Sequence, residues 1–190
     1  MSELNLKASE ANKQTANNGI DAEPGDILLF TRPSGASRLI TWFTKSPFYH
    51  VAIYQGGTSV VEARPRGVVR RDLTGPEGDA CFVVIPAPEG KGREALTWAE
   101  GNLGNGYAVI GVFVLILERI FKHLQINYKA PDKFSCAEFI AEAFEHAGVT
   151  LFPDCKPEDL FPADFARLLP PMAKERSLDP VTGTQVTLES

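Results

Sequence analysis

The sequence predicts an α+β domain in which an antiparallel sheet packs against a cysteine-bearing helix. Three stretches carry that expectation. "YHVAIYQGGTSVVEA", residues 49–63, reads as two short strands joined by a glycine turn. "DILLF" and "CFVVIP" are brief apolar runs bounded by turn signals, as buried strands are. "FSCAEFIAEAFEHAG", residues 134–148, places Cys136, Phe139, Ile140, Ala143, Phe144 and Ala147 on one face at helical spacing. At 190 residues the chain is long enough for one domain with a sizeable core.

The elements follow in order. Residues 1–22 are polar and aperiodic and are expected to form a flexible tail. "EPGDILLF" is a turn running into a strand at 26–30. "SGASRLITWFTKS" has apolar residues at 39, 40, 42 and 43 and suits a short helix ending near Pro47. The hairpin strands are expected at 50–54 and 60–64, and "GVVRRDL" is a further extended stretch. "ACFVVIP" is a strand stopped by Pro86. "GREALTWAEGNLG" is a helix with Gly104 or Gly106 near its end. The apolar block "YAVIGVFVLIL", 107–117, continues into "ERIFKHL" and reads as a helix through about 124. After Gly148 the chain is broken by prolines, with a helical turn or two. The single domain spans 23–170, and 171–190 is expected to be a second flexible tail.

Composition narrows the function classes. The net charge of -5 argues against nucleic acid as a partner. Cys81, Cys136 and Cys155 form no C-x-x-C pair, so neither a disulfide framework nor a zinc site is expected. The apolar run 107–117 is eleven residues, short of the roughly 20 a spanning helix needs, and the N-terminus lacks a signal-peptide pattern. The expectation is a cytoplasmic protein without a transmembrane segment. Oligomeric state has no signal in the sequence.

The chemistry-bearing residues converge. Ser135 and Glu138 form a capping box, which makes Cys136 the first helical residue. There the helix leaves amides unpaired and its dipole favours a thiolate. On the hairpin, His50, Ala52 and Tyr54 share one face by alternation, and Val60, Glu62 and Arg64 share one on the returning strand. A loop centred near Gly56 sets His50 opposite Glu62, and one centred on Gly57 makes them diagonal neighbours. Each residue also has a structural reading: a packed cysteine, a satisfied strand histidine, a carboxylate buried beside a cation. Thiol, imidazole and carboxylate together suit a nucleophile, a base and an orienter.

"GDILLF", "HVAIYQGG" and "VVEA" resemble the strand motifs of the NlpC-type cell-wall peptidases, a branch of the papain-like fold. In those enzymes the cysteine helix precedes the strands. Here "FSCAEFI" follows them, and "KPEDL" follows in turn, an order that resembles the circularly permuted branch containing YiiX-like proteins and lecithin:retinol acyltransferase relatives. The resemblance spans about residues 24–165 and implies a circularly permuted papain-like fold, with sheet or small barrel against the cysteine helix. It implies Cys136 as nucleophile, His50 as base and Glu62 as third member. Glu62 stands where the NlpC pattern more often has histidine, and "GNGYA" lacks the acid that relatives often show after Tyr107.

The leading expectation is a cysteine hydrolase that cleaves an amide through an acyl-enzyme, without metal or organic cofactor. The alternatives are a lipid acyltransferase or phospholipase with the same triad, using 107–117 to line an acyl pocket, and a binding module without catalysis. Tyr54, Arg64, Arg66 and Tyr107 are the candidate substrate-binding residues. The cluster of Arg64, Arg66, Arg70 and Arg71 suits an anionic substrate, either an acidic peptide or a phospholipid head group, or else a solvated strand edge.

Overall fold

The computed structural model describes residues 20–32, 37–64, 67–75, 81–105, 135–171, 173–178 and 185–187. The expected helix from 107 to about 124 lies outside them, as do Arg66 and Tyr107. Among the described residues seven strands form one sheet: β1 Ile27–Thr31, β2 His50–Gly56, β3 Ser59–Arg64, β4 Gly67–Asp72, β5 Cys81–Ile85, β6 Arg176–Leu178 and β7 Gln185–Thr187. Their order is β4-β3-β2-β1-β5-β6-β7, with every neighbouring pair antiparallel. The helices are α1 Ser37–Thr44, α2 Gly92–Gly101 and α3 Cys136–His146, with 3-10 turns at Pro157–Asp159 and Pro162–Leu168. The α+β class expected from the sequence is therefore present.

Both faces of the central strands are covered, which explains why β1 reads "ILLFT" without alternation and is buried throughout. On one face Ile27, Leu29, Val51, Ile53, Val61 and Ala63 meet α2 and α3. On the other, Leu28, Phe30, Ala52, Tyr54, Val60, Phe82 and Val84 meet Ile20, Leu73 and Leu178. Helix α3 buries the face its periodicity predicts, including Phe139, Ile140, Ala143 and Phe144. Its N-terminus carries the expected capping box: Glu138 N–H donates to Ser135 Oγ and Ser135 N–H donates to the Glu138 carboxylate, both at 3.0 Å.

Both tail boundaries need correction. Ile20 is buried in the second cluster, and its N–H donates to the Gly57 carbonyl, so packed chain begins before residue 23. At the other end, residues 171–190 include β6 and β7, which extend the sheet from β5. Strands of three residues are too short to show alternation. β6 forms because β5 offers it unpaired backbone groups, and β7 because β6 does, a tertiary cause with no local signature.

The "PGD" turn before β1 is built on backbone contact and one carboxylate. Asp26 accepts from the N–H groups of Glu23 and Ala87, each at 2.8 Å, tying the turn to the segment after β5. Gly25 has φ +102, and a Cβ there would lie 2.1 Å from the Gly92 carbonyl carbon. At the hairpin tip Gly57 has φ +60, with no atom within 4 Å of a built Cβ. Gly25→Ala should thus cost more than about 1 kcal/mol from strain alone, with the clash added. Gly57→Asn should cost well under ~1 kcal/mol, because asparagine tolerates this conformation. Urea unfolding midpoints of the two variants check the contrast.

Candidate active site

The site is assembled where the first residue of β2 meets the first residue of α3. The β2–β3 register pairs Ile53 with Val61 and Tyr54 with Val60. Carried along the strands, that register sets Glu62 opposite Ala52 and diagonal to His50, the arrangement expected for a loop centred on Gly57. The diagonal is within side-chain reach: His50 Nε2 lies 2.8 Å from Glu62 Oε2. Cys136 is near enough to the imidazole to help raise its pKa. Histidine and glutamate from one hairpin and cysteine from a distant helix are thus brought together. The imidazole is the middle member.

The site is nearly closed. The Cys136 residue is 6% exposed, the His50 side chain 14% and the Glu62 side chain 0%. Phe30 lies beside the imidazole with ring centroids 5.6 Å apart, and Tyr49 stacks on it at 6.3 Å. At the start of α3 the Glu138 N–H is taken by Ser135. The Cys136 and Ala137 N–H groups precede the first intrahelical bond and have no acceptor within the helix.

Glu62 is held by more than histidine. Arg71, from β4, grips it as a fork: Nε donates to Oε1 at 2.6 Å and Nη2 to Oε2 at 2.9 Å. Arg64 Nη1 lies 3.4 Å from Oε1. The Arg71 guanidinium also sits over the Phe30 ring, 5.2 Å from its centroid. Sequence reasoning counted Arg71 only within a basic cluster. The missing signal was the β3–β4 pairing, which sets Arg71 opposite Val60 and so on the same face as Glu62.

The charges act on one another's proton affinity. Burial alone would raise the Glu62 pKa. The His50 charge and hydrogen bond, then Arg71, outweigh it and bring the carboxyl to about 2. Burial alone would lower the His50 pKa. The Glu62 charge, then Cys136 and the hydrogen bond to Glu62, outweigh it and raise the imidazole to about 9.

Of the expected substrate-binding residues, Tyr54 needs correction. It is 3% exposed, and its hydroxyl donates to the carbonyls of Gly57 at 2.9 Å and Ile20 at 3.4 Å. It is a buried strut of the second cluster: alternation put it on the histidine's face, but that face is covered at Tyr54. Among the arginines, Arg64 and Arg71 are drawn to Glu62, and Arg70 lies 3.7 Å from Glu100. The described part of the cluster therefore answers internal carboxylates first. His146 stacks on Trp98 at 4.8 Å on the far end of α3 and takes no part in the site. Among the described residues no group of three His, Cys, Asp or Glu could hold a metal ion, and no helix is long and apolar enough to cross a membrane.

No family model matches this chain, and no curated protein matches it.

The two shifted groups predict a stability profile. Glu62, depressed from 4.5 to about 2, contributes stability that is present above 4.5 and lost as pH falls toward 2. His50, raised from 6.5 to about 9, contributes stability that is complete below 6.5 and lost as pH rises through 9. Their joint contribution should be greatest between about 4.5 and 6.5. Glu62→Gln should cost on the order of 3 kcal/mol in that window and flatten the alkaline fall, read from urea midpoints across pH.

Proposed function

We propose that this protein is a cysteine hydrolase that cleaves amide bonds through a Cys136–His50–Glu62 triad. The observation that carries the reading is the imidazole between the two other groups: Nε2 lies 2.8 Å from Glu62, and Cys136 is near enough to help raise the ring's pKa. With Nε2 engaged, Nδ1 is the ring nitrogen left for the sulfur. A circularly permuted papain-like fold is the finer assignment that goes with this reading, supported by the cysteine helix packing on β2 and β3, antiparallel strands that precede it in the chain. No disulfide joins Cys81, Cys136 or Cys155, which suits a reducing, cytoplasmic setting.

The mechanism follows from the positions. The Cys136 thiolate attacks the carbonyl carbon, and the electron pair of the carbonyl moves to oxygen. The N–H groups of Cys136 and Ala137 at the start of α3 receive that oxyanion. His50, held as imidazolium, donates its proton to the departing amine as the C–N bond breaks, leaving a thioester on Cys136. Neutral His50 then takes a proton from water as the water oxygen bonds to the acyl carbon. The C–S bond breaks, the acid departs, and thiolate and imidazolium return. Glu62 holds the ring's orientation and supports its charge in both halves.

The His50 proton favours amide over ester substrates. An amine is a poor leaving group until protonated, and the imidazole raised to about 9 holds that proton through neutral pH. The lipid reading drew on 107–117, which lies outside the described residues.

Labelling tests the site. At ~pH 6 iodoacetamide should modify Cys136 ahead of Cys81 and Cys155. Cys155 is exposed and Cys136 is buried, so such a preference would report reactivity and not access. His50→Ala should remove it, and on a cleaved substrate should lower kcat by about 10²- to 10⁴-fold. Equal labelling of the three thiols would sink the proposal. Intact-mass detection of acyl-Cys136 from a peptide library, set against phospholipid vesicles, separates the amide reading from the lipid one.

A further inference from the structure

A carboxylate beside an imidazole strengthens the ring's hold on its proton. The same field opposes a negative charge on the ring's other side. Glu62 is 0% exposed, so little water screens that field. Arg71 alters the balance. Its pairing opposite Val60 puts it on Glu62's face, where its fork bonds both carboxylate oxygens at 2.6 and 2.9 Å. Its side chain is 14% exposed, and it lies over Phe30, the ring that also flanks His50. Arg64 reaches the same carboxylate from the strand's end at 3.4 Å. Among the described residues Tyr49 is within electrostatic reach of Arg71, Glu62, Arg64 and Cys81, and burial favours its neutral form.

With a thiolate on Cys136 and a proton on His50, the four central groups make two ion pairs in a row. Sulfur and imidazolium form one, carboxylate and guanidinium the other. Their sum is zero. Without Arg71 the same row carries one excess negative charge, and the cation still beside it, Arg64, is 37% exposed and 3.4 Å from the carboxylate.

We propose that Arg71 is a positioning residue for the reactive thiol: by gripping both oxygens of Glu62 and cancelling its charge, it lets Glu62 orient His50 without opposing the negative charge on Cys136. The inference rests on the triad reading above. Arg71 acts through Glu62 and touches neither the sulfur nor the scissile bond. The fork also fixes the carboxylate plane, so that Oε2 stays directed at Nε2. Lysine in its place keeps the charge and loses the fork.

The experiment follows the iodoacetamide alkylation rate of Cys136 by peptide mapping across pH. It uses the full chain and the variants R71M, R71K, E62Q and R71M/E62Q, with thermal unfolding of each as a control on folding. The pH of half-maximal rate on the acid side is the readout. In R71M it should move up by about one unit, and in E62Q it should move down by a similar amount. R71M/E62Q and R71K should both return to within a few tenths of wild type, because each restores the charge balance.

An R71M profile that coincides with wild type while its melting temperature falls makes Arg71 structural only and overturns the proposal. A downward move in R71M, meaning that Glu62 has taken up a proton, overturns it too. Should R71M fail to fold, the double variant decides, since removing both partners leaves no buried charge unpaired. A double variant that stays with E62Q overturns the proposal. A wild-type chain in which Cys136 does not label ahead of the other thiols defeats the hydrolase reading instead, so the two failures are distinguishable.

Discussion

A carboxylate with no exposed surface sets the terms for the rest of this molecule. An ionised Glu62 alone in that position would cost several kcal/mol in lost hydration. It is stable because cations converge on it from its own strand and from neighbours on both sides: His50 from β2, Arg71 from β4 and Arg64 from the end of β3. That convergence constrains the sheet. Slipping β2 or β4 by one residue against β3 would turn His50 or Arg71 to the helix-facing side and leave the carboxylate unmatched. Register here is thus specified twice, by apolar residues on one face and by charge on the other.

The division of the two faces also determines where Cys136 and His50 meet. Helix α3 is anchored by its apolar side on β2 and β3, through residues such as Phe139, Ile140 and Phe144. That packing is indifferent to chemistry, yet it carries the helix's N-terminus to the end of the sheet where β2 begins. The capping box then fixes the first turn and uses the Glu138 amide internally, leaving those of Cys136 and Ala137 to face outward along the axis. A helix placed by core packing delivers a thiol and two donors to a histidine placed by strand pairing.

Much of this was legible in the sequence, and the parts that were not share a cause. The capping box, the α3 stripe and the hairpin are local patterns, and each was found near its expected place. The His50–Glu62 diagonal was one of two registers that the "QGGT" turn allowed. The grip of Arg71 on Glu62 was hidden because it depends on β4 pairing with β3, and "GVVRRDL" by itself does not say what it pairs with. Tyr54 misled for the opposite reason. Alternation placed it correctly beside Ala52, but only the buried Ile20 and the hairpin carbonyls show that its hydroxyl is already used. Strands β6 and β7 had no readable pattern, because three residues do not make a period.

The network around Glu62 is hard to account for by stability. Buried ion pairs can often be replaced by well-packed apolar residues at no loss, and sometimes with a gain of about 1–4 kcal/mol. The surroundings would suit such a replacement, since Phe30, Ala52 and Val60 already line the same face. What an apolar substitute could not do is hold a proton on His50 while keeping the ring aimed at Cys136. The direction of the His50 shift supports this view: burial pulls it down, and the charges of Glu62 and Cys136 more than reverse that pull. A histidine kept only for packing would have no need of a carboxylate that itself needs a forked arginine. The cost of the arrangement falls on folding, and its benefit falls on the proton that the proposed chemistry has to move.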